Sequence, residues 1–327
     1  MNYSVVIRTL GNGGEKYKKL IHSIEKQTIT PKEIIVVLPY DYKLDYKLGN
    51  EKIIYCKKGM VNQRVVGINN ADSKYILVLD DDISFDNSFA KKMLECIQTT
   101  NADVICPNSN EILDWKLSHK KTLIENIKII KHFLLGNRLF HKKSEYAIKI
   151  IGTGGHSIKS NMNINEYYLS QSGNFQCFFI KTEKAKEIQF EKEAWVEATQ
   201  YAIYDDQIFF YKAFLLGQKI IFAPQIKYTH LDGGAGRINT NKNDRFYRKL
   251  YGNTRNRTLF WRRFLYLPSN NLSKLWLSIC YFYATINTIL IYSLPNILLP
   301  KHLYLINKAI LKGIKEGFTY MFENKMQ

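Results

Sequence analysis

Three aspartates follow one another at Asp80, Asp81 and Asp82, directly behind the apolar run YILVL that begins at Tyr75. Adjacent carboxylates repel, so a chain that gathers them where a buried strand ends must supply something positive to offset them. In an extended segment alternate side chains share a face, so Asp80 and Asp82 can approach one ligand while Asp81 points elsewhere. Oxygen-only ligands suit Mg²⁺ or Mn²⁺, and such an ion can also hold a substrate diphosphate. The other reading is a solvated turn whose acids cap the next helix. A second acidic pair, Asp205 and Asp206, opens the stretch YDDQIFFYKAFLLGQK. At a helix start these carboxylates serve the free N–H groups, or one of them acts as a general base on an acceptor hydroxyl. His230, in YTHLDGG, ends a short apolar segment and is either structural or a further metal ligand.

Such groups need a frame, and the first half of the chain alternates strand and helix. Strands are expected at 4–7, 34–38, 53–56, 75–79 and 104–106. Tyr17, Leu20, Ile21 and Ile24 mark one helix face, a second helix is expected at 62–70, and Phe89, Met93 and Ile97 mark a third, capped by Asp86 or Asn87. Strands rich in Ile and Val on both faces, separated by amphipathic helices, describe a mostly parallel sheet covered on both sides. Ligands of such sheets bind beyond the carboxyl ends of the strands, where the aspartates stand. Further on, Leu123, Ile127, Ile130 and Leu134 have helical spacing, 176–180 reads as a strand and 204–216 as a helix, and KIIFAP and IKYTH read as two short closing strands. The glycine-rich IGTGGHS and LDGGAGR lack the endings of a P-loop or a dinucleotide fingerprint and are read as turns or active-site loops.

The totals narrow the partners. Of 327 residues, 47 are Lys or Arg against 29 Asp or Glu, a net charge of +18, which favours nucleic acid, an anionic membrane face or phosphate-bearing substrates. A hydrophobic content of 46% excludes a disordered chain. Cys56, Cys96, Cys106, Cys177 and Cys280 are scattered without a CxxC pair, which indicates neither a zinc site nor a disulfide framework and fits a reducing cytoplasm. The start, MNYSVVIRTL, is too short and too β-like for a signal peptide.

Taken in order, these segments resemble the inverting family-2-type glycosyltransferases of GT-A fold, including rhamnosyltransferase-like members. YSVVIRTL is similar to their first nucleotide-binding strand, and KLIHSIEKQTITPKEIIVV to their helix, Q-T-x-x-P turn and second strand. VNQRVVGINNADSKYILVLDDD resembles the helix with an Arg-x-x-Gly step that runs into the metal-binding Asp-x-Asp. The stretch from Asp205 to Gly217 has the spacing around their catalytic base. The resemblance implies an α/β nucleotide-diphospho-sugar transferase fold, a mostly parallel sheet flanked by helices, with a C-terminal helical extension that is basic and apolar. It places Thr9, Arg64, Asp80 and Asp81 at the nucleotide. Asp82, Asp80 and His230 fall at a Mn²⁺ or Mg²⁺ ion, and Asp206 is the base with Asp205 beside it. Trp195 either stacks on an acceptor sugar or is a core or lid aromatic. The donor would be a UDP-, dTDP- or GDP-linked sugar, and the acceptor a glycan or lipid-linked hydroxyl in bacterial surface polysaccharide synthesis.

A boundary is expected near residue 236, after a catalytic domain over 1–236 whose nucleotide-sugar half covers 1–107 and whose acceptor half covers 108–236. In the remainder, 237–327, Arg245, Arg248, Arg255, Arg257 and Arg262 alternate with Phe246, Tyr247, Tyr251, Phe260 and Trp261, and 275–300 holds no charged residue. This tail packs on the protein, lies in a membrane surface or spans a bilayer; the flanking basic residues favour peripheral attachment to the cytoplasmic face. A basic nucleic-acid-binding protein and a non-catalytic membrane scaffold of the same fold are the alternatives. The first leaves the aspartate cluster unexplained and the second leaves the Asp206 base without purpose, so no nucleic-acid partner is expected.

Overall fold

Every second residue of the Val- and Ile-rich strands faces a different helix layer, and this alternation builds the molecule. The structure is a computed structural model that describes residues 2–109, 145–159, 161–199, 203–231 and 242–323. The helix expected around 123–134, the LDGGAGR loop beyond Leu231 and the boundary near 236 lie outside the described residues.

The first half runs β1 (Tyr3–Arg8), α1 (Glu15–Glu25), β2 (Glu33–Pro39), β3 (Glu51–Cys56), α2 (Met60–Asn69), β4 (Tyr75–Asp80), β5 (Ile83–Phe85), α3 (Phe89–Thr99) and β6 (Val104–Ser109). The β7–β8 hairpin (Ile148–Ile150, His156–Ile158), β9 (Tyr168–Leu169), β10 (Cys177–Lys181) and α4 (Thr182–Glu187) follow, then a 3₁₀ segment over Phe190–Thr199. Next come α5 (Asp205–Leu215) and β11 (Ile220–His230), and then the C-terminal helices α6 (Lys242–Phe260), α7 (Asn271–Ser293) and α8 (Pro300–Glu323). A nine-stranded sheet has the order β3-β2-β1-β4-β10-β6-β11-β5, with β9 paired to β11. The pairs β2–β3, β1–β2, β1–β4 and β6–β11 are parallel, while β10 runs antiparallel between β4 and β6.

Val6, Ile35, Val37, Ile76 and Val78 are buried on one face with α2 and α5, and Val5, Ile7, Val36, Leu77 and Leu79 on the other with α1 and α3. The Arg-x-x-Gly step has a direct cause. A Cβ on Gly67 would meet Val6 Cγ1 at 2.4 Å and Val37 Cγ2 at 3.2 Å. The bare glycine lets α2 settle on the sheet, and Arg64, nearly one turn earlier, is thereby aimed at the ends of β1 and β4.

Three expectations are corrected. KIIFAP and IKYTH form one strand, β11, whose register shifts between Ala223 and Lys227 around Pro224, a residue that cannot donate to a ladder. The N-cap of α3 is Ser88; Asp86 Oδ1 accepts from its N–H at 2.8 Å instead of capping the helix itself. Trp195 is only 5% exposed, part of the core, with Nε1 donating to Glu193 at 2.7 Å, so it is a packing residue and not an open platform for a sugar.

In the C-terminal layer α8 packs along α6 through Leu250, Ile306, Ala309 and Ile310. The helix over Asn271–Asn296 is long and apolar enough, by length and composition, to cross a membrane. Its inward side holds Cys280, Tyr281, Ala284, Thr285, Asn287 and Thr288, while Leu272 (81% exposed), Leu275, Ile279, Phe282 (64%), Ile286 and Leu290 face outward. This is the reverse of an ordinary surface helix.

Candidate active site

Parallel register between β1 and β4 sets Arg8 beside Asp80 at the carboxyl ends of both strands. Arg8 donates to Asp80 Oδ1 through Nη2 at 3.0 Å and Nε at 3.2 Å, and Arg64 Nη2 reaches the same oxygen at 3.1 Å. Arg64 Nη1 donates to Asp205 Oδ2 at 2.9 Å, so one guanidinium, 1% exposed, ties the end of β4 to the head of α5. Its plane rests on Phe175, with the guanidinium carbon 4.0 Å from the ring centre. The positive charge that the aspartate triplet requires is thus supplied in part by two arginines.

Each acid then acquires its own character. Burial raises the Asp80 carboxyl, but Arg8 and Arg64 together outweigh it and hold the group below its ordinary range. Three N–H contacts, two from Arg8 and one from Arg64, converge on Asp80 Oδ1. Asp81 turns to Thr9, whose Oγ1 donates to it at 2.5 Å, and burial pushes its pKa up against the pull of Thr9 and Arg8. Thr9 Oγ1 also accepts from the Gly11 N–H at 2.9 Å, and Gln63 Nε2 donates to the Thr9 carbonyl at 2.9 Å. Asp82 meets His230, with Oδ2 and Nε2 3.3 Å apart, because β11 pairs antiparallel with β5 and sets His230 opposite Ile83.

The helix-borne pair is held differently. Tyr204, at φ 81°, turns the chain through the left-handed region and delivers Asp205 and Asp206 into the first turn of α5. Asp205 is buried, and burial pushes its pKa up to about 7 against the pull of Arg64. Asp206 is half-buried; burial raises it as well, more than the Gln207 N–H (2.7 Å from Oδ1) and Arg64 lower it. Asp206 lines a cavity of about 310 Å³ between α5, the β7–β8 turn, α6 and α7.

Several contributors escaped the sequence reading. Arg8 could have been found by aligning VVIR with LVLD as neighbouring parallel strands. Glu197 could not: it comes from the 3₁₀ segment to accept from the Val61 N–H, where α2 begins at Gly59 without a side-chain cap. Among the described residues no cluster of three or more His, Cys, Asp or Glu side chains is placed to hold a metal. The Asp82–His230 pair fits a divalent cation in chemistry, since it brings one carboxylate and one imidazole to the strand ends.

A mixed sheet of this order, with acids at the end of β4 and a carboxylate pair facing them from α5, defines a GT-A-like fold. Residues 45–150 match Glycosyl transferase family 2. The matched segment holds Arg64, Gly67 and Asp80 to Asp82; Asp205, Asp206 and His230 lie beyond it. No curated protein matches the chain as a sequence. Among solved structures it is similar to S. aureus TarS 1-349, with 17% identity and a TM-score of 0.44 over 100% of this chain and 93% of that one. TarS 1-349 in complex with UDP-GlcNAc gives 15% and 0.45 over 98% and 92%. GalNAc-T7 with UDP, GalNAc and Mn²⁺ gives 13% and 0.47 over 99% of this chain and 57% of that one. At these values the ligands of those proteins belong to those proteins alone.

Proposed function

We propose that the chain transfers a sugar, with inversion, from a nucleoside diphosphate donor to a hydroxyl of a glycan or lipid-linked acceptor. The observation that carries this reading is the Arg64 bridge, which fixes the strand-end acids and the α5 carboxylates in one site. Thr9 and Asp81 border the nucleoside side, and Arg8 and Arg64 hold Asp80 as a rigid, ionised wall. Asp206 is the base because it faces the cavity, whereas Asp205 is committed to Arg64. The acceptor oxygen forms its bond to the anomeric carbon as its proton passes to Asp206. The bond to the donor phosphate oxygen breaks, and its electron pair leaves with the diphosphate. Asp82 and His230 would hold Mn²⁺ or Mg²⁺, which neutralises charge on the departing diphosphate when bound.

Calorimetry with UDP, dTDP, GDP and CDP, each with and without Mn²⁺, tests the donor side on the parent and on Asp82→Ala. Metal-dependent binding of one nucleotide, lost in Asp82→Ala, is expected; a chain that binds none of them under either condition is not a nucleotide-sugar transferase.

The outward apolar face of α7 supports a second part of the reading, peripheral attachment to an anionic leaflet on the cytoplasmic side. The exposed face of α8 adds Lys301, Lys308, Lys312 and Lys315. The inner side of α7 is held to α6 by Arg257 Nη2 to Thr285 Oγ1 (3.1 Å), Arg257 Nη1 to Thr288 Oγ1 (3.2 Å) and the Thr258–Tyr281 hydroxyl pair (2.6 Å). These ties support the reading of α7 as a helix lying on a bilayer surface. Flotation with phosphatidylglycerol vesicles should carry the parent and not the Leu275→Gln/Ile279→Gln/Phe282→Gln variant; equal flotation of both defeats this assignment.

A further inference from the structure

The cavity lined by Asp206 also holds a buried guanidinium that forms no ion pair among the described residues. Arg257 is 8% exposed and lines the cavity opposite Asp206. Its Nη groups donate to Thr285 and Thr288, its guanidinium carbon lies 5.6 Å from the Tyr281 ring centre, and Nε is buried without a partner. Among the described residues no carboxylate lies within ion-pair distance of it. Arg8, Arg64 and Arg263, by contrast, pair with Asp80, with Asp80 and Asp205, and with Glu193. Arg255 is also buried, but two carbonyl oxygens accept from its Nη1 and it does not line the cavity.

A guanidinium withdrawn from water and bonded only to neutral hydroxyls is costly unless an anion joins it. Phosphate is the anion whose oxygens match the Arg fork, leaving acceptor capacity for further donors. The same wall carries Asn253 and Tyr292, and the facing turn carries His156. About 310 Å³ is the size of one sugar ring with a substituent, not of a nucleotide sugar.

We propose that this cavity is the acceptor site and that it takes a phosphate-bearing acceptor, its phosphate on Arg257 and its reacting hydroxyl at Asp206. The inference rests on the transferase reading above and deepens it. Gly154 (φ 79°) gives the cavity its shape: a Cβ there would meet Trp261 Cβ at 3.0 Å and Arg257 Cγ at 3.3 Å, and Gln207 Nε2 donates to its carbonyl at 2.9 Å. The β7–β8 turn, α5 and α6 are thereby locked around Arg257.

The test uses the full chain with its donor site saturated by the nucleotide that binds best. Glucose 6-phosphate, glucose and glucuronate are titrated by calorimetry, and hydrogen exchange is followed over 250–258 and 285–292. Binding of glucose 6-phosphate at least about tenfold tighter than of glucose or glucuronate is expected, with slowed exchange in those two segments. Arg257→Gln should lose the preference and Arg257→Lys should keep part of it. Should Arg257→Gln not fold, Asn253→Asp places a carboxylate in the cavity and should abolish the preference equally. The same phosphate could be carried by a soluble glycan or by a lipid. Dodecyl phosphate in neutral vesicles, run in parallel, names the carrier, and Arg257-dependent binding in either arm supports the proposal. No preference for phosphate in either arm, or an unchanged preference in Arg257→Gln, overturns it. Nucleotide binding is measured in every sample, so a failed donor site is distinguished from a failed acceptor site.

Discussion

Replacing Arg64 separates the two things that its guanidinium does. It bonds Asp80 at 3.1 Å and Asp205 at 2.9 Å from a position almost closed to water. Asp205 stands at about 7 because burial raises it further than Arg64 lowers it. Arg64→Met roughly keeps the volume over Phe175 and removes the charge, leaving burial and the Asp206 and Asp80 charges to act alone. A contacting opposite charge is worth about 1–3 pKa units. The Asp205–Asp206 pair, which titrates as one unit, should therefore give up its proton at higher pH by about that interval. With Asp206 as base, the acid limb of kcat/KM moves up with it, and activity at neutral pH falls about tenfold per unit. Arg64→Lys keeps a charge that cannot span both carboxylates, so its limb should fall between the two. Removing one partner from a buried ionic network costs about 3–5 kcal/mol. That is a large share of a typical stability of about 5–15 kcal/mol, so unfolding by denaturant is measured on the same samples. Initial rates over about pH 5.5 to 9.5 decide the matter. If folded Arg64→Met has the acid limb of the parent, the groups that titrate in the rate are not Asp205 and Asp206.

Asp206→Asn should lower transfer by about 10²–10⁴-fold while nucleotide binding by calorimetry stays within about twofold; a comparable loss of nucleotide affinity would move Asp206 to the donor side. Gly67→Ala inserts a methyl that meets Val6 Cγ1 at 2.4 Å, so a loss of about 1–3 kcal/mol is expected in chemical denaturation. A variant as stable as the parent would mean that α2 does not rest on β1. Because folding raises the Asp205 pKa, its neutral form stabilises the fold below the usual carboxylate range, and that contribution disappears as pH rises towards 7. The melting temperature of the nucleotide-free chain should accordingly fall between about pH 4 and pH 7, and Asp205→Asn should flatten that slope.

The frame was legible because Val- and Ile-rich strands alternating with amphipathic helices leave few other arrangements. The strand at 75–79, the helix behind Phe89 and the Arg-x-x-Gly step all lie within a residue or two of their expected places. The partners within the site were less legible, because they are set by register and by long-range burial. Arg8 lies 72 residues from Asp80, and only the parallel pairing of β1 with β4 makes them neighbours. The choice between the two readings of Trp195 rested on a related effect. Glu191, Lys192 and Glu193 before it suggest an exposed segment, yet Glu193 is fully buried, bonded to Lys212 at 2.7 Å and to Arg263 at 2.8 Å, and carries Trp195 inward. Charge along a segment reports exposure only when the countercharge is water.

The C-terminal helices make the same point in reverse, and they connect the two halves of the proposed reaction. Thr285, Asn287 and Thr288 look like interruptions in an apolar run, which in a bilayer would be costly. Turned inward, Thr285 and Thr288 are the hydroxyl acceptors of Arg257, and α7 also brings Tyr292 to the cavity wall. The residues that count against a spanning helix are thus those that finish a polar pocket, while the opposite face of that helix keeps the apolar surface. On the reading proposed above, one helix would serve two surroundings, a polar cavity on one side and a lipid surface on the other. On that reading an acceptor delivered along a membrane would meet α7 first, the helix whose inner side lines the cavity that holds Asp206.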